Sequence, residues 1–198
     1  LLPTIANSTM GDWIVVRDTA GFANDLTVTM NALATDGTTA DTDAGDDCDI
    51  DASLFTKKLT VDVTGLTISS ANAITGGTGS TDELVFDGTT NTTTADMAGI
   101  TKIETFKAET DASVAFTIAS ENAGDGETLT LTAAALTSTA STAIFDAQND
   151  TDGNIVIIGG AGADSITGSA SDLGDSITSG AAADVLYFVS AKLDSLDT

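Results

Sequence analysis

The sequence predicts an all-β chain: a right-handed parallel β-helix or β-roll, that is a β-solenoid, with turns made of Gly and Asp. Three observations predict it. Short β-prone runs recur along the whole chain, a single proline, Pro3, interrupts 198 residues, and Gly-Gly-x-Gly followed by Asp occurs twice.

The runs are Trp13 to Val16, Leu26 to Met30, Leu59 to Val63, Leu84 to Phe86, Val114 to Ile118, Leu129 to Leu131, Ile155 to Ile158 and Val185 to Val189. Each is rich in Val, Ile, Thr or Phe and bounded by Gly, Asp, Asn, Ser or Thr, the punctuation of strands and turns. Leu59-Thr60-Val61-Asp62-Val63 and Leu129-Thr130-Leu131 alternate cleanly, which buries one face and wets the other. Helical signals are few. Thr94 to Ile100 reads as one short helix capped by Thr94, and the Ala-rich patches Ala133 to Leu136 and Ala181 to Ala183 read as single turns.

The chain also resembles itself. Ile50-Asp51-Ala52-Ser53 precedes an alternating strand and then Gly76-Gly77-Thr78-Gly79, while Phe145-Asp146-Ala147-Gln148 precedes Ile155 to Ile158 and then Gly159-Gly160-Ala161-Gly162. One design used twice implies stacked rungs rather than a sandwich of unrelated strands. Residues 1–198 therefore read as one continuous solenoid segment, with an acidic loop over 36–51 and metal-binding rungs over 150–190.

Composition narrows the function. Six Lys and Arg stand against 30 Asp and Glu, for a formal charge of −24. Such a polyanion repels nucleic acid and anionic headgroups. Hydrophobic residues make up 41 % of the chain, enough to build a core rather than a disordered acidic tail. With no His and a single Cys, Cys48, the usual hydrolytic triads, zinc sites and disulfides are excluded. No run approaches the length of a membrane span. The start at Leu1 rather than Met suggests a processed product or a piece of a longer chain, with any export signal outside it.

The abundance of Asp, a short and turn-compatible oxygen ligand, points to a cation. Gly159-Gly160-Ala161-Gly162-Ala163-Asp164-Ser165-Ile166-Thr167 matches the calcium-binding nonapeptide G-G-x-G-x-D-x-U-x, with Ile166 as the apolar U. In this reading the glycines adopt positive φ and turn their carbonyls inward, Asp164 adds a carboxylate, and a stacked neighbour completes the shell of Ca2+. Degraded copies follow in phase. Asp164, Asp175 and Asp184 are each followed two residues later by Ile166, Ile177 and Leu186, with Asp172 inside the middle turn, and Asp152 lies in an upstream frame, Asp150 to Ile158, with Gly153 at the fourth position and Ile157 at U. A looser copy runs through Gly76, Gly77, Gly79 and Asp82, with one extra residue before the Asp. The plain alternative is that these are Gly-rich turns in which Asp serves turn propensity alone. The acidic run Asp41 to Asp51 lacks the order of an EF-hand loop, and a solvated loop guarding a strand edge explains it as well as calcium does.

The nonapeptide at 159–167 resembles those of RTX proteins. Met97-Ala98-Gly99-Ile100-Thr101-Lys102-Ile103-Glu104-Thr105-Phe106, through its Gly-Ile-x-x-Ile-Glu-x-Phe core, is similar to a rung recurring in bacterial surface-layer proteins, and Ile50-Asp51-Ala52-Ser53 is similar to another. The resemblance implies calcium ligands at Asp164 and the carbonyls of Gly159, Gly160 and Gly162, then at Asp152, Asp175, Asp184 and Asp82. It further implies Type I secretion, folding outside the cell as calcium becomes abundant, and self-assembly into a surface layer, sheath or filament, with copies of itself and cell-surface polysaccharide as partners. A stalk segment of a large RTX adhesin is the alternative. A calcium-binding module of a secreted polysaccharide-modifying enzyme is a second alternative. Catalysis by this chain itself is not expected, because its basic residues are only Arg17, Lys57, Lys58, Lys102, Lys107 and Lys192 and a polyanion repels a polyuronate.

Overall fold

The structure, a computed structural model, describes residues 13–17, 24–31, 49–65, 68–70, 72–79, 81–87 and 92–189. Its elements in order are β1 (Trp13–Arg17), β2 (Leu26–Asn31), β3 (Asp49–Leu54), β4 (Leu59–Gly65), β5 (Ile74–Thr75), β6 (Glu83–Phe86), α1 (Thr94–Met97), β7 (Ile100–Thr101), β8 (Thr105–Ala108) and β9 (Val114–Thr117). After a 3-10 turn at Ser120–Asn122 come β10 (Thr128–Thr132), β11 (Ala143–Asp146), β12 (Asn154–Ile158), β13 (Ser165–Thr167), β14 (Ser176–Thr178) and β15 (Val185–Tyr187).

Every pairing between these strands is parallel, and each strand pairs with the one two ahead except at β7 and β9, so the fold is a β-solenoid. The even-numbered strands form one unbroken seven-stranded sheet from β2 to β14. The odd-numbered strands form two four-stranded sheets, β1-β3-β5-β7 and β9-β11-β13-β15.

Parallel in-register stacking converts the period-2 alternation of each strand into inward columns. Val28, Val61, Leu84, Phe106, Leu131, Ile157 and Ile177 follow one another in register up the long sheet. Ile50, Ile74 and Ile100 form a second column, and Phe116, Phe145, Ile166 and Leu186 a third. A fully buried side chain of this kind stabilises by about 1.5–3 kcal/mol. Where the odd strands pass from one sheet to the other, aromatic rings fill the junction: Phe86 lies 6.1 Å from Phe106 and 4.7 Å from Phe116, which stacks on Phe145 at 5.5 Å.

All eight runs expected as strands are strands, and the expected helix is present in shortened form. Its cap is Thr93, whose hydroxyl accepts the Asp96 N–H while the Asp96 carboxylate accepts the Thr93 N–H, a reciprocal box one residue upstream of the expected cap. It stops before Gly99, where a Cβ would lie 2.1 Å from the Asn72 carbonyl of the rung below. Ala133 to Leu136 is a single turn closed by the Leu136 N–H on the Ala133 carbonyl at 2.9 Å. Of the acidic loop expected over 36–51, positions 36–48 lie outside the described residues, and Asp49 to Asp51 belong to β3 rather than to a loop. No helix among the described residues is long and apolar enough to cross a membrane.

Candidate functional site

The two Gly-Gly-x-Gly turns are one structure. Asp82 Oδ2 accepts the Gly77 N–H at 2.6 Å and its Oδ1 accepts the Leu59 N–H at 2.7 Å, 23 residues upstream. Asp164 Oδ2 accepts the Gly160 N–H at 2.7 Å and its Oδ1 accepts the Ala143 N–H at 2.7 Å. Each carboxylate thus closes its own turn with one oxygen and ties down the start of a strand in the preceding rung with the other. The backbone around each matches too: Thr78 N–H donates to the Phe55 carbonyl at 2.7 Å, and Ala161 N–H to the Leu136 carbonyl at 2.9 Å. The upstream halves of the two units agree as well. Asp51 accepts the Ser53 N–H, and Asp146 the Gln148 N–H, each two residues on.

The glycines are required for closeness rather than for handedness. Among the described residues, positive φ at Gly occurs only at Gly126, Gly174 and Gly180, so the expectation of positive φ at Gly159, Gly160 and Gly162 is corrected. Instead a Cβ on Gly159 would lie 2.1 Å from the Ser179 carbonyl, and one on Gly162 1.8 Å from that of Ser141. At Gly77 and Gly79 the same imagined atom meets the Phe55 and Lys57 carbonyls at 2.3 and 2.5 Å. Rungs pack backbone on backbone at these corners, leaving no room for a side chain.

The other expected ligands are distributed around this pattern. Asp175 closes its own turn with both oxygens, Oδ2 accepting the Ser169 N–H at 2.6 Å and Oδ1 the Ser169 hydroxyl at 2.9 Å. Asp184 Oδ1 accepts the Asp164 N–H at 3.0 Å, just as Glu104 Oε2 accepts the Asp82 N–H at 2.6 Å. Asp152 and Asp172 are exposed. Calcium wants about six to eight converging oxygens. The carboxylate oxygens of Asp82 and Asp164 are each aimed at a backbone N–H, and among the described residues no three His, Cys, Asp or Glu side chains come together as a metal-holding group. The clasps are complete as hydrogen-bonded structures.

A spare oxygen exists elsewhere, at Asp150. Its side chain is wholly buried, Oδ1 accepts the Gly153 N–H at 3.1 Å, and Oδ2 has no partner; nor has the buried Oδ1 of Asn154. Asp150 differs in this from the clasps, where each carboxylate oxygen of Asp82 and Asp164 accepts a backbone N–H.

Burial pushes the carboxyl groups of Asp82, Glu104 and Asp150 above the ordinary carboxylate range. Backbone N–H donors oppose that rise at all three, while neighbouring acids add to it at Glu104 (Asp82 and Glu127) and at Asp150 (Asp152 and Asp175). Asp111, at the surface, moves the other way because the Ser138 N–H and the hydroxyls of Ser141 and Thr137 stabilise its anion.

Sequence reasoning missed Glu104 and Asn122 as site-forming groups, and placed Asp150 in the upstream frame without giving it a role of its own. Glu104 was visible inside the Gly-Ile-x-x-Ile-Glu-x-Phe run, but its hydrogen bond to a residue 22 positions upstream was not. A groove of about 240 Å³ is lined by Lys102, Ile103, Glu104, Asn122, Glu127 and Thr128. Its polar side chains include two already spent on structure: Glu104 on Asp82, and Asn122 on the Met97 and Ile100 carbonyls at 2.7 Å each.

Comparison of the chain with protein-family models, with curated proteins and with solved structures found no match. The class of protein is therefore defined by the fold and the corners alone: a parallel β-solenoid whose rungs are tied by buried carboxylates.

Proposed function

We propose that the chain is an extracellular structural protein, a segment of a self-assembling surface layer, sheath or filament stabilised by calcium. One observation carries the assembly part. The column Phe116, Phe145, Ile166 is fully buried, yet its last described member, Leu186, is 42 % exposed, with no described rung stacked over it. Val185, Tyr187, Phe188 and Leu173 are exposed beside it. Among the described residues β14 and β15 each pair on one side only, leaving edges that can template further parallel strands. Between Ser176 and Val189 the only charged residue is Asp184, so this stretch of a chain at −24 is nearly neutral and repels its like little.

At the opposite end of the long sheet, Leu26, Val28 and Met30 of β2 are buried, so the two ends differ. Calcium enters the reading as the counter-ion of a chain whose self-repulsion opposes compaction, and it would couple folding to an external supply of the ion. The reading assigns the chain no catalysis. The resemblance of residues 159–167 to RTX repeats supports an exported, calcium-rich setting.

The test is the molecular mass and particle shape of purified chain against concentration, with calcium and with chelator, for wild type and Leu186→Asp. End-on multimers that Leu186→Asp abolishes while keeping its β-sheet circular dichroism are expected. A wild type that stays monomeric at every concentration in calcium overturns the assembly reading.

A further inference from the structure

The groove of about 240 Å³ lies between residues 102–104, which join β7 to β8, and residues 122–128, which lead from the 3-10 turn into β10. Ile103, 2 % exposed, gives it an apolar wall. Asn122 borders it with its amide fully spent, Nδ2 on the Met97 and Ile100 carbonyls and Oδ1 on the Ala119 N–H at 2.7 Å. Lys102, Glu127 and Thr128 are exposed and border the same space. Among the described residues, none of these three side chains has a hydrogen bond or an ion pair.

Lys102 is the unusual member. The chain has six basic residues against 30 acids, and two of the six, Lys58 and Lys107, are held by Glu83 and Glu109. Lys102 instead has left-handed backbone, with φ at 56°, a conformation that strains a lysine and is free to a glycine. Stacking fixes that backbone: a Cβ on Gly76, one rung earlier, would lie 1.7 Å from the Lys102 carbonyl oxygen. Strain of this kind gathers at ligand clamps. The negative charges of the groove crowd one another rather than meeting the lysine. Those that act on the Glu104 carboxylate are Asp82 and Glu127, and neither Glu104 nor Glu127 forms an ion pair among the described residues. Opposite charges that border one groove without neutralising each other are complementary to a molecule carrying the inverse pair.

We propose that the groove binds a small α-amino acid as its zwitterion, with the ligand carboxylate on Lys102, its ammonium on Glu104 and Glu127, Thr128 as a further hydrogen-bonding partner, and an apolar side chain against Ile103. The volume is below the about 300–1,000 Å³ of drug-sized sites, which suits a ligand of one residue and not a nucleotide. A simple anion is repelled by both glutamates and by a chain at −24. A simple cation leaves Lys102 unanswered, and a neutral polyol uses neither charge. Charge-assisted hydrogen bonds at both ends of the ligand are of the stronger kind and fix its orientation. The inference goes beyond the structural function proposed above and depends on neither calcium nor assembly.

The experiment is calorimetric titration of L-alanine into the intact chain at low salt, in chelator so that no divalent ion takes the carboxylates. L-Alanine amide, which lacks the carboxylate, and N-acetyl-L-alanine, which lacks the ammonium, are titrated in parallel. L-Alanine is expected to bind saturably with a Kd of about 1 mM or less, and each analogue at least about tenfold more weakly, as loss of one charge-assisted bond predicts. Lys102→Met should bind alanine and its amide alike, and Glu127→Gln should bring alanine and N-acetylalanine closer together. Lys57→Met and Glu109→Gln, the same charge changes outside the groove, should leave all three affinities as they are in wild type. Because the three ligands are compared on the wild-type chain, the test stands even if a variant fails to fold. No saturable binding of alanine up to about 20 mM overturns the proposal. So do three equal affinities, or an amide that binds more tightly than alanine, which would mark a site for cations. A Lys102→Met chain that still prefers alanine to its amide overturns the role given to Lys102, and the proposal with it.

Discussion

Asp164 and Ala143, 21 residues apart in the chain, are joined by a 2.7 Å hydrogen bond from the Ala143 N–H to the Asp164 carboxylate. The same carboxylate holds the Gly160 N–H of its own turn, so a single side chain fixes the turn and the spacing between rungs. Charge-assisted bonds to backbone N–H groups are among the stronger hydrogen bonds in proteins, and burial at 2 % exposure shields these from water.

Replacing Asp164 with Ala leaves two buried N–H groups unsatisfied. A loss of about 2–4 kcal/mol is expected, less the relief of no longer burying a charge. Asp82→Ala should behave alike, because its two bonds have the same geometry. Urea midpoints in chelator measure this; an unchanged midpoint for both variants would mean that the clasps contribute nothing.

Gly162→Ala puts a methyl group 1.8 Å from the Ser141 carbonyl oxygen, and backbone cannot yield as a side chain can. About 3 kcal/mol or more of destabilisation is expected from such overpacking. Gly126→Ala is the comparison. Its Cβ meets nothing within 4 Å, and only its positive φ of 72° costs, about 1–2 kcal/mol. Thermal melts of the two variants should therefore rank Gly162→Ala well below Gly126→Ala.

One column gives opposite answers at its middle and at its end. Phe116→Ala removes a ring packed against Phe86 and Phe145 and should cost about 3–5 kcal/mol. Leu186→Ala, at 42 % exposure, should cost about 1 kcal/mol or less in the monomer. Denaturant unfolding at low protein concentration separates the two.

Acid should stabilise this fold. Asp82, Glu104 and Asp150 have folded-state pKa values raised above those of the unfolded chain, so the folded state binds protons more tightly. Their contribution is fully present below the unfolded carboxylate range, near about pH 4, and is lost as pH rises through the folded values. Partial neutralisation of the −24 charge acts in the same direction. Asp111, whose pKa is lowered, works the opposite way but lies at the surface, where the effect is screened. Urea midpoints measured from neutrality down to about pH 5 should rise, and Asp150→Asn should flatten the slope. A midpoint that falls steadily over this interval would contradict the direction given for these groups.

Alternation and punctuation made much of the architecture legible. Leu59-Thr60-Val61-Asp62-Val63 became β4, with its three apolar residues buried and the other two half-buried, and the repeated Gly-Gly-x-Gly followed by Asp proved to be one turn used twice. Very short strands escaped notice. Ile74-Thr75 holds its place because β3 and β7 lie on either side of it, and Ile100-Thr101 because it pairs with β5, long-range pairings that two residues cannot announce.

For the turns at Gly76 and Gly159 themselves, local sequence determined that Gly and Asp sit at set spacings and that an apolar residue follows into the core. What those residues touch was decided by stacking. A rung repeat of about twenty residues brings the Ser141 carbonyl onto Gly162 and the Leu59 N–H onto Asp82, and no local pattern encodes a partner that far away. The tertiary structure likewise separated Asp164, whose oxygens each meet an N–H, from Asp150, whose buried Oδ2 meets none. The two side chains are identical in sequence terms. They differ because a carboxylate's role is set by which donors the neighbouring rung presents to it.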